Sequence, residues 1–523
     1  MLKLLLLFII IFLGGCNSSN LSEEDILFIA TKGQEQTSHL SPFYGQTLTI
    51  GVLKNCFVGA YQGFTGNGYI NTSFYARRFE QEHPGVIVNV EIFVDNMLPG
   101  GVAVTRCSPE QIEVDTIRGQ DEISRLLLAG DAPTLICARL FNHRAPMASE
   151  LFIDFFPIME ADPSFNLDHF FTNVFEAAAV GGKLLTMPLG FDYYFVATNS
   201  TIPSLVAATS ELNAISMADM LNLHKEFSHS IRDIYPDSDL DAFLLHRGFT
   251  LRRGITHYLD QFVNFTNNDV NFNNHEFIYI LEYLSELTCP QAVNFFTELN
   301  NCPNNRMFGT SISAFADLVS NMENRYLERD MFTVVNRRNY RYFLNIPDFE
   351  EYFVNPLPLV NYRGELIIDT SVNFGLNANA TLKEQALGWE FIKFVNENGH
   401  IFRCHETGWD NFRAHSTMNL NHPHMQQLLF RPHLNRTGTV VNFFNIMTRH
   451  GHRGLGGNPI STEQAFNDIY NHMEIIKNMS MSQAFTHQLI DNNLQNFYEG
   501  LLSAAQVANN LDVQLNLMLM ELH

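Results

Sequence analysis

The chain has 523 residues, of which 46% are hydrophobic, 12% aromatic and only 17% charged. That length suits roughly three average domains or two large lobes, with ample apolar material for a core. Subtracting 55 Asp and Glu from 32 Lys and Arg gives a net charge of −23, which excludes a general nucleic-acid binder and a protein docked on anionic lipid by charge alone.

Lys3 precedes an unbroken apolar run, Leu4 to Leu13, and Gly14-Gly15-Cys16 follows. One positive charge, a short apolar stretch and small residues before a cut make residues 1–15 a secretory signal peptide. The run is too short to cross about 30 Å of hydrocarbon comfortably as a helix. Leu13-Gly14-Gly15-Cys16 resembles the bacterial lipobox. The resemblance implies cleavage before Cys16 and diacylglycerol on its thiol, the nucleophile available for a thioether. Asn17-Ser18-Ser19-Asn20 reads as a flexible polar tether, and residues 16–45 as the lipidated N-terminus and a linker without period.

Thr47-Leu-Thr-Ile-Gly-Val-Leu53 alternates and then turns apolar, as a first strand does. A loop with Gly59, Gly63, Gly66 and Gly68 follows. Thr72 or Ser73 caps a helix through about Glu82, with Phe74, Tyr75 and Phe79 on one side, and His83-Pro84-Gly85 ends it. Val86 to Phe93 reads as a β-branched strand, Gln111 to Leu128 as a helix stopped by Gly130, and Thr134 to Ala138 as a short buried strand. The alternation predicts βαβ units and a parallel sheet. Residues 205 to 330 read as mostly helical, with Asn-rich loops near 264 to 275. Tyr352 to Val360 is a strand holding Pro356 and Pro358, so it belongs at an edge or at a crossing between units. Thr381 caps a helix through Phe394 that Gly399 ends, and residues 481 to 521 are helical by spacing.

Cys56, Cys107, Cys137, Cys289, Cys302 and Cys404 form no C-x-x-C pair, so neither a zinc site nor a thioredoxin-like site is indicated. Export permits disulfides, and Cys289 with Cys302 would close a short loop; free buried thiols are the preferred reading, since a large core needs no staple. Gly63-Phe-Thr-Gly-Asn-Gly68 lacks the Gly-Lys-Ser/Thr of a phosphate loop, and neither His-Glu-x-x-His nor Gly-x-Ser-x-Gly occurs. His450 and His452 lie in a Gly-rich basic stretch without further ligands, which reads as a surface loop. No metal, cofactor or catalytic residue is expected.

Several short blocks then resemble the extracellular solute-binding lipoproteins of ABC importers, in particular the sugar-binding group. They are Leu126-Leu-Leu-Ala-Gly-Asp-Ala-Pro133; Gly182-Lys-Leu-Leu-Thr-Met-Pro188 with Tyr194 and Asn199; Asn355-Pro-Leu-Pro358; Gly375-Leu-Asn-Ala378 with Gly388-Trp-Glu-Phe-Ile-Lys-Phe-Val395; and Tyr498 to Leu519. They occur in the family's order and span nearly the whole mature chain. At the first block the family has Asp after the proline where this chain has Thr134. The resemblance implies an α/β, two-lobed, type II periplasmic-binding-protein-like fold with hinge crossings and a ligand cleft. It divides the chain into 46–190 plus 358–402 as the first lobe and 191–357 plus 403–523 as the second. It implies a monomeric, non-enzymatic protein, lipid-anchored outside the cytoplasm. Such a protein delivers a carbohydrate, an oligosaccharide by preference, to ABC permease subunits. The competing readings are a surface polysaccharide-active enzyme, a binding protein for peptide or another polar solute, and an adhesin.

Sugar recognition needs flat aromatic faces and planar polar groups for vicinal hydroxyls. Asp192 and Tyr194 follow the first crossing, and Asp369 follows Ile367-Ile368, where the resemblance implies ligand contacts. Trp409 lies in the polar stretch Glu406 to Phe412 and is a candidate stacking platform, whereas Trp389, between Phe391 and Phe394 on a helix, reads as core. Phe64 and Tyr69 lie in the Gly-rich loop after the first strand, at the end where α/β proteins bind ligands. Substituting Cys16→Ser is expected to abolish incorporation of labelled fatty acid and to move the protein from the detergent to the aqueous phase on partitioning.

Overall fold

The computed structural model describes residues 21–34, 41–52, 72–93, 97–98, 102–103, 109–137, 148–167, 170–230, 243–245, 258–264, 269–287, 330–336, 353–398, 476, 478–481 and 487–521. The first described element departs from the linker expected there. Helix α1 (Glu23–Thr31) is closed at its N-terminus by a capping box, in which Ser22 Oγ accepts from Asp25 N and the Asp25 carboxylate accepts from Ser22 N. Ile29 and Ala30 are buried. Its apolar residues are contiguous rather than spaced, so a helix this short has no readable period; packing against the rest of the protein makes it a helix.

Strand β1 (Thr47–Val52), helix α2 (Thr72–Glu82), strand β2 (Ile87–Ile92), the small ladder β3 (Met97–Leu98) and β4 (Val102–Ala103), helix α3 (Pro109–Ala129) and strand β5 (Leu135–Cys137) follow. β1 lies parallel to both β2 and β5, as the alternation of elements predicts. α3 ends at Gly130, whose φ of 78° is the left-handed conformation that favours glycine. Gly130 N donates to Leu127 O and Asp131 N to Leu126 O, satisfying the last carbonyls of the helix. Short helices α4 (Ala148–Leu151), α5 (Phe155–Ala161) and α6 (Thr172–Ala178) lead into the long strand β6 (Met187–Asn199).

Helices α7 (Pro203–Ser210) and α8 (Met217–Phe227) come next, then β7 (Phe243–Leu245), the pair β8 (Val263–Asn264) and β9 (Asp269–Val270), and α9 (His275–Leu287). Strands β10 (Asp330–Asn336), β11 (Phe353–Pro358) and β12 (Leu366–Leu376) precede α10 (Leu382–Asn398), β13 (Met479–Met481), α11 (His487–Tyr498) and α12 (Ala504–Glu521). The region expected to be mostly helical thus also supplies three strands, of two or three residues each, and β10 begins at its end.

The main sheet runs β2-β1-β5-β12-β6-β10-β7, with β11 on β6 and β13 on β12. It is mixed rather than parallel, because β12 runs antiparallel to both β5 and β6, and β6 antiparallel to β10. β11 pairs with β6 alone among the described residues, the edge position that Pro356 and Pro358 require.

Two main hydrophobic cores form on this frame. The first gathers residues of α1, β1, α2, α5, α6, α10 and the start of β6; the second gathers residues of α7, α8, α9, α11 and α12 with the end of β6. A smaller cluster, with Phe93, Ile123, Leu127, Ile136, Phe152 and Leu185, lies under α3. Ile476 belongs to the first core and Met479 packs against it.

α10 organises the first core. Ala386, Leu387, Trp389, Phe391, Ile392, Phe394 and Val395 are all buried, so the helix is covered nearly all round. Gly388 permits its close approach to the sheet, since an added Cβ would lie 2.8 Å from Leu376 Cδ1. Trp389 is core, as expected, and its Nε1 donates to Asp162 Oδ2 at 2.8 Å.

Asp162 is the centre of a buried polar cluster. It pairs with Lys393 Nζ at 2.9 Å and accepts from Ser164 N, Ser164 Oγ and Gln34 Nε2; Lys393 also pairs with Glu390 at 2.9 Å. Burial alone would raise the Asp162 pKa, but the hydrogen bonds from Ser164, Lys393 and Trp389 outweigh it and hold the carboxyl below its usual range. Burial lowers His83, stacked on Phe79 at 4.2 Å, more than Glu390 and Glu82 raise it.

Both shifts are depressions, so each contributes stability above the unfolded pKa that is lost as pH falls. His83 loses its contribution below its ordinary 6.5 and Asp162 below its ordinary 3.8. Stability in urea is therefore expected to fall in two stages on acidification, with the lower stage absent in Asp162→Asn. At neutral pH Lys393→Met, which leaves a buried carboxylate unpaired, is expected to cost about 3–5 kcal/mol in the same measurement.

Candidate functional site at the strand crossings

β6 has thirteen residues and serves two partners in turn. Its first part pairs antiparallel with β12, matching Met187 with Phe374, Pro188 with Asn373, Gly190 with Val372 and Asp192 with Asp369. Its second part, from Tyr194 to Asn199, pairs antiparallel with β10 and β11. The residues at the handover divide by parity. Tyr193 and Phe195 enter the first core with ring centroids 4.8 Å apart, while Val196 belongs to the second and Tyr194 packs against it. A strand places successive side chains on opposite faces, so one β6 contributes to both cores at one point.

The same division recurs in the return segments. Leu359 lies in the second core and Val360 in the first; Leu366 and Ile368 lie in the first and Ile367 in the second. Three stretches of backbone thus pass between the cores side by side. Leu359 N donates to Tyr194 O at 2.8 Å, and Ile367 N donates to Leu359 O at 3.5 Å, which ties the three together.

The register is interrupted at two places beside this crossing. One is between Val354 and Leu357 on β11, and the other between Asp369 and Asn373 on β12. At the first, Asn355 adopts φ 51°, and its Nδ2 donates to Val206 O at 3.1 Å and Thr209 Oγ1 at 3.2 Å. Those bonds hold the bulge against α7, a conformation an asparagine tolerates better than most residues. Asn199 closes the other side: its Oδ1 accepts from Thr201 N and Thr201 Oγ1, which turns the chain from β6 toward α7.

Asp192 and Asp369 stand inside β6 and β12, neither in a turn nor ahead of a strand, and their backbones are register partners. Residues expected at separate positions along the chain are therefore brought opposite each other at the crossing. Tyr194 is half-buried and two residues from Asp192. Trp409, Phe64 and Tyr69 lie outside the described residues, as do His450, His452 and the cysteines other than Cys137. Among the described residues no group of three or more His, Cys, Asp or Glu is placed to hold a metal ion, and no helix is long and apolar enough to cross a membrane.

Sequence reasoning did not find the turn from Asn361 to Glu365, which links the second crossing to β12. Asn361 is buried, its Oδ1 accepts from Arg363 N and Glu365 N, and its Nδ2 donates to Glu365. Tyr362 stacks on Phe262 at 4.7 Å and 3°, with the Arg363 guanidinium 5.0 Å from its ring centroid. The Asn-Tyr-Arg-Gly order is a turn signal that was legible; the stack on Phe262, a hundred residues earlier in the chain, was not.

No family model matches the sequence, and no curated protein matches it. Solved structures similar to the chain over most of its length are extracellular solute-binding proteins. The sugar-binding protein MalE from Xanthomonas citri is 12% identical, with a TM-score of 0.48 over 91% of this chain and 97% of that one. The cyclic alpha-maltosyl-1,6-maltose binding protein from Arthrobacter globiformis is 9% identical, with a TM-score of 0.47 over 91% of this chain and 99% of that one. An extracellular solute-binding protein family 1 member from Alicyclobacillus acidocaldarius is 11% identical, with a TM-score of 0.45 over 90% and 98%.

Proposed function

We propose that this chain is a lipid-anchored, extracytoplasmic solute-binding protein of an ABC importer. It holds a carbohydrate, by preference an oligosaccharide, between two lobes and passes it unaltered to permease subunits. The first lobe is built on residues 46–190 and 358–402, joined by α1 and the segment around Met479; the second is built on 191–357 and the rest of the C-terminal part.

The observation that carries the reading is the crossing itself. Three adjacent backbone stretches pass between two separate cores, with register interruptions beside them. Such an arrangement suits a hinge, in which a few backbone positions absorb the motion of two bodies that remain internally rigid. The family's sequence blocks, in the family's order, support the same reading. So does the pairing of Asp192 with Asp369 at the crossing, where carboxylates can accept hydrogen bonds from vicinal hydroxyls. Tyr194 joins them, and Phe64, Tyr69 and Trp409 supply aromatic faces for the apolar side of a sugar ring. No chemistry is assigned to the site, and hinge closure around the ligand is what the permease reads.

The test is a thermal-shift screen of residues 21–523 against mono- and oligosaccharides, peptides and polyamines. A ligand present at one hundred times its Kd raises stability by about 2.7 kcal/mol if it binds the folded chain alone. One class of sugar is expected to raise the melting temperature and to be recovered intact. Asp369→Ala is expected to weaken that binding about tenfold to a hundredfold, the loss of one or two charge-assisted hydrogen bonds. A shift with peptides or amines only would overturn the carbohydrate assignment, and cleavage of the sugar would overturn the non-enzymatic one.

A further inference from the structure

We infer that α1 is a docked spacer that fixes the first lobe, and not the second, against the membrane to which Cys16 is anchored. The inference rests on the lipid-anchor reading, and adds which body is held and how closely.

α1 is integral to the first lobe. Ile29 and Ala30 lie in its core, and Leu21, Ile26 and Phe28 pack against it. The helix contacts α5 and α10, so it covers a side of the helix that is apolar nearly all round. The turn Lys32–Gln34 that follows locks it in place. A Cβ at Gly33 would displace the Glu390 carboxylate that pairs with Lys393, and Gln34 Nε2 donates to Asp162 Oδ1 at 2.7 Å. That carboxylate is the one already paired with Lys393 and bonded to Trp389. The chain is thus committed to the first lobe from Leu21 onward.

Only Asn17, Ser18, Ser19 and Asn20 separate Cys16 from Leu21. However those residues are arranged, five Cα-to-Cα steps reach at most about 18 Å. Had residues 16–45 been a free linker of thirty residues, the lobe would range over about 30 Å r.m.s.. Docking of α1 removes that freedom. The second lobe, connected through the strand crossing, is then the body that moves when the hinge closes, while the first stays at the bilayer.

The experiment uses the full lipidated chain in phosphatidylcholine liposomes that carry a headgroup acceptor dye. The donor is placed at Leu128→Cys, 66% exposed on the first lobe, with background from the parent chain subtracted. Inserting twenty Gly and Ser residues between Asn20 and Leu21 alters no described residue. It raises the r.m.s. reach of the tether from about 12 Å to about 28 Å and is expected to lower energy transfer at least about twofold. Ile29→Asp combined with Gln34→Ala, which undocks α1, is expected to lower it in the same direction. Unchanged transfer in the insertion variant, which leaves the lobe intact, would overturn the inference. If the wild-type chain floats with the liposomes and its N-terminal fragment carries acyl mass, the lipid-anchor reading stands whatever the transfer. If the fragment carries none, that reading fails and the inference with it.

Discussion

The structure depends on one constraint, the alternation of side chains along β6. Tyr193 and Phe195 must reach one core while Tyr194 and Val196 reach the other. A slip of one residue against β12 or β10 would exchange the two sets and expose both cores at once. Register is therefore fixed by two cores rather than one. The same alternation at Leu359-Val360 and Leu366-Ile367-Ile368 makes the return strands obey it too. Tight specification at the handover thus lies beside two register interruptions, the arrangement on which the proposed hinge rests.

The two bodies hold together by different means. The first is organised round α10, with the Asp162, Lys393 and Glu390 cluster tying α10 to the segment after α5 and to the turn after α1. A buried ion pair of this kind adds little net energy compared with apolar packing, but losing one member is costly, so the cluster specifies arrangement. The second body is joined by separate local bonds. His224 Nδ1 lies 3.0 Å from Tyr283 Oη, Tyr258 donates to Glu276 at 2.7 Å, and Asp512 on α12 accepts from Phe272 N at 2.7 Å. Burial and the neighbouring Glu276 carboxylate push the Tyr258 phenol far up, so it remains a donor at any physiological pH.

Local signals in the sequence were read where local chemistry sets the structure. Thr72 to Glu82 is helical over its expected span, and β1 begins at Thr47. Gly130 ends α3, and the Thr381 hydroxyl accepts from Glu384 N at the start of α10. What was not legible depends on residues far apart in the chain. α1 is a helix because the first lobe covers it; Ile26 to Ala30 alone carries no period. A strand was legible only after Asp369-Thr370-Ser371, which interrupts the apolar run, and pairing with β5 and β6 is what makes β12 continuous from Leu366 to Leu376. The candidate site shows the same split. Asp192, Tyr194 and Asp369 were chosen individually, but the register that sets two of them opposite each other follows from the sheet.

Two bodies joined at this crossing are proposed to close around a solute, and small-angle scattering from residues 21–523, with and without a saturating mixture of neutral oligosaccharides, reads that closure. The radius of gyration is expected to be smaller with sugar and unchanged with a non-binding polyol at equal mass. A radius that is the same with the mixture, under conditions where thermal shift reports binding, would rule closure out.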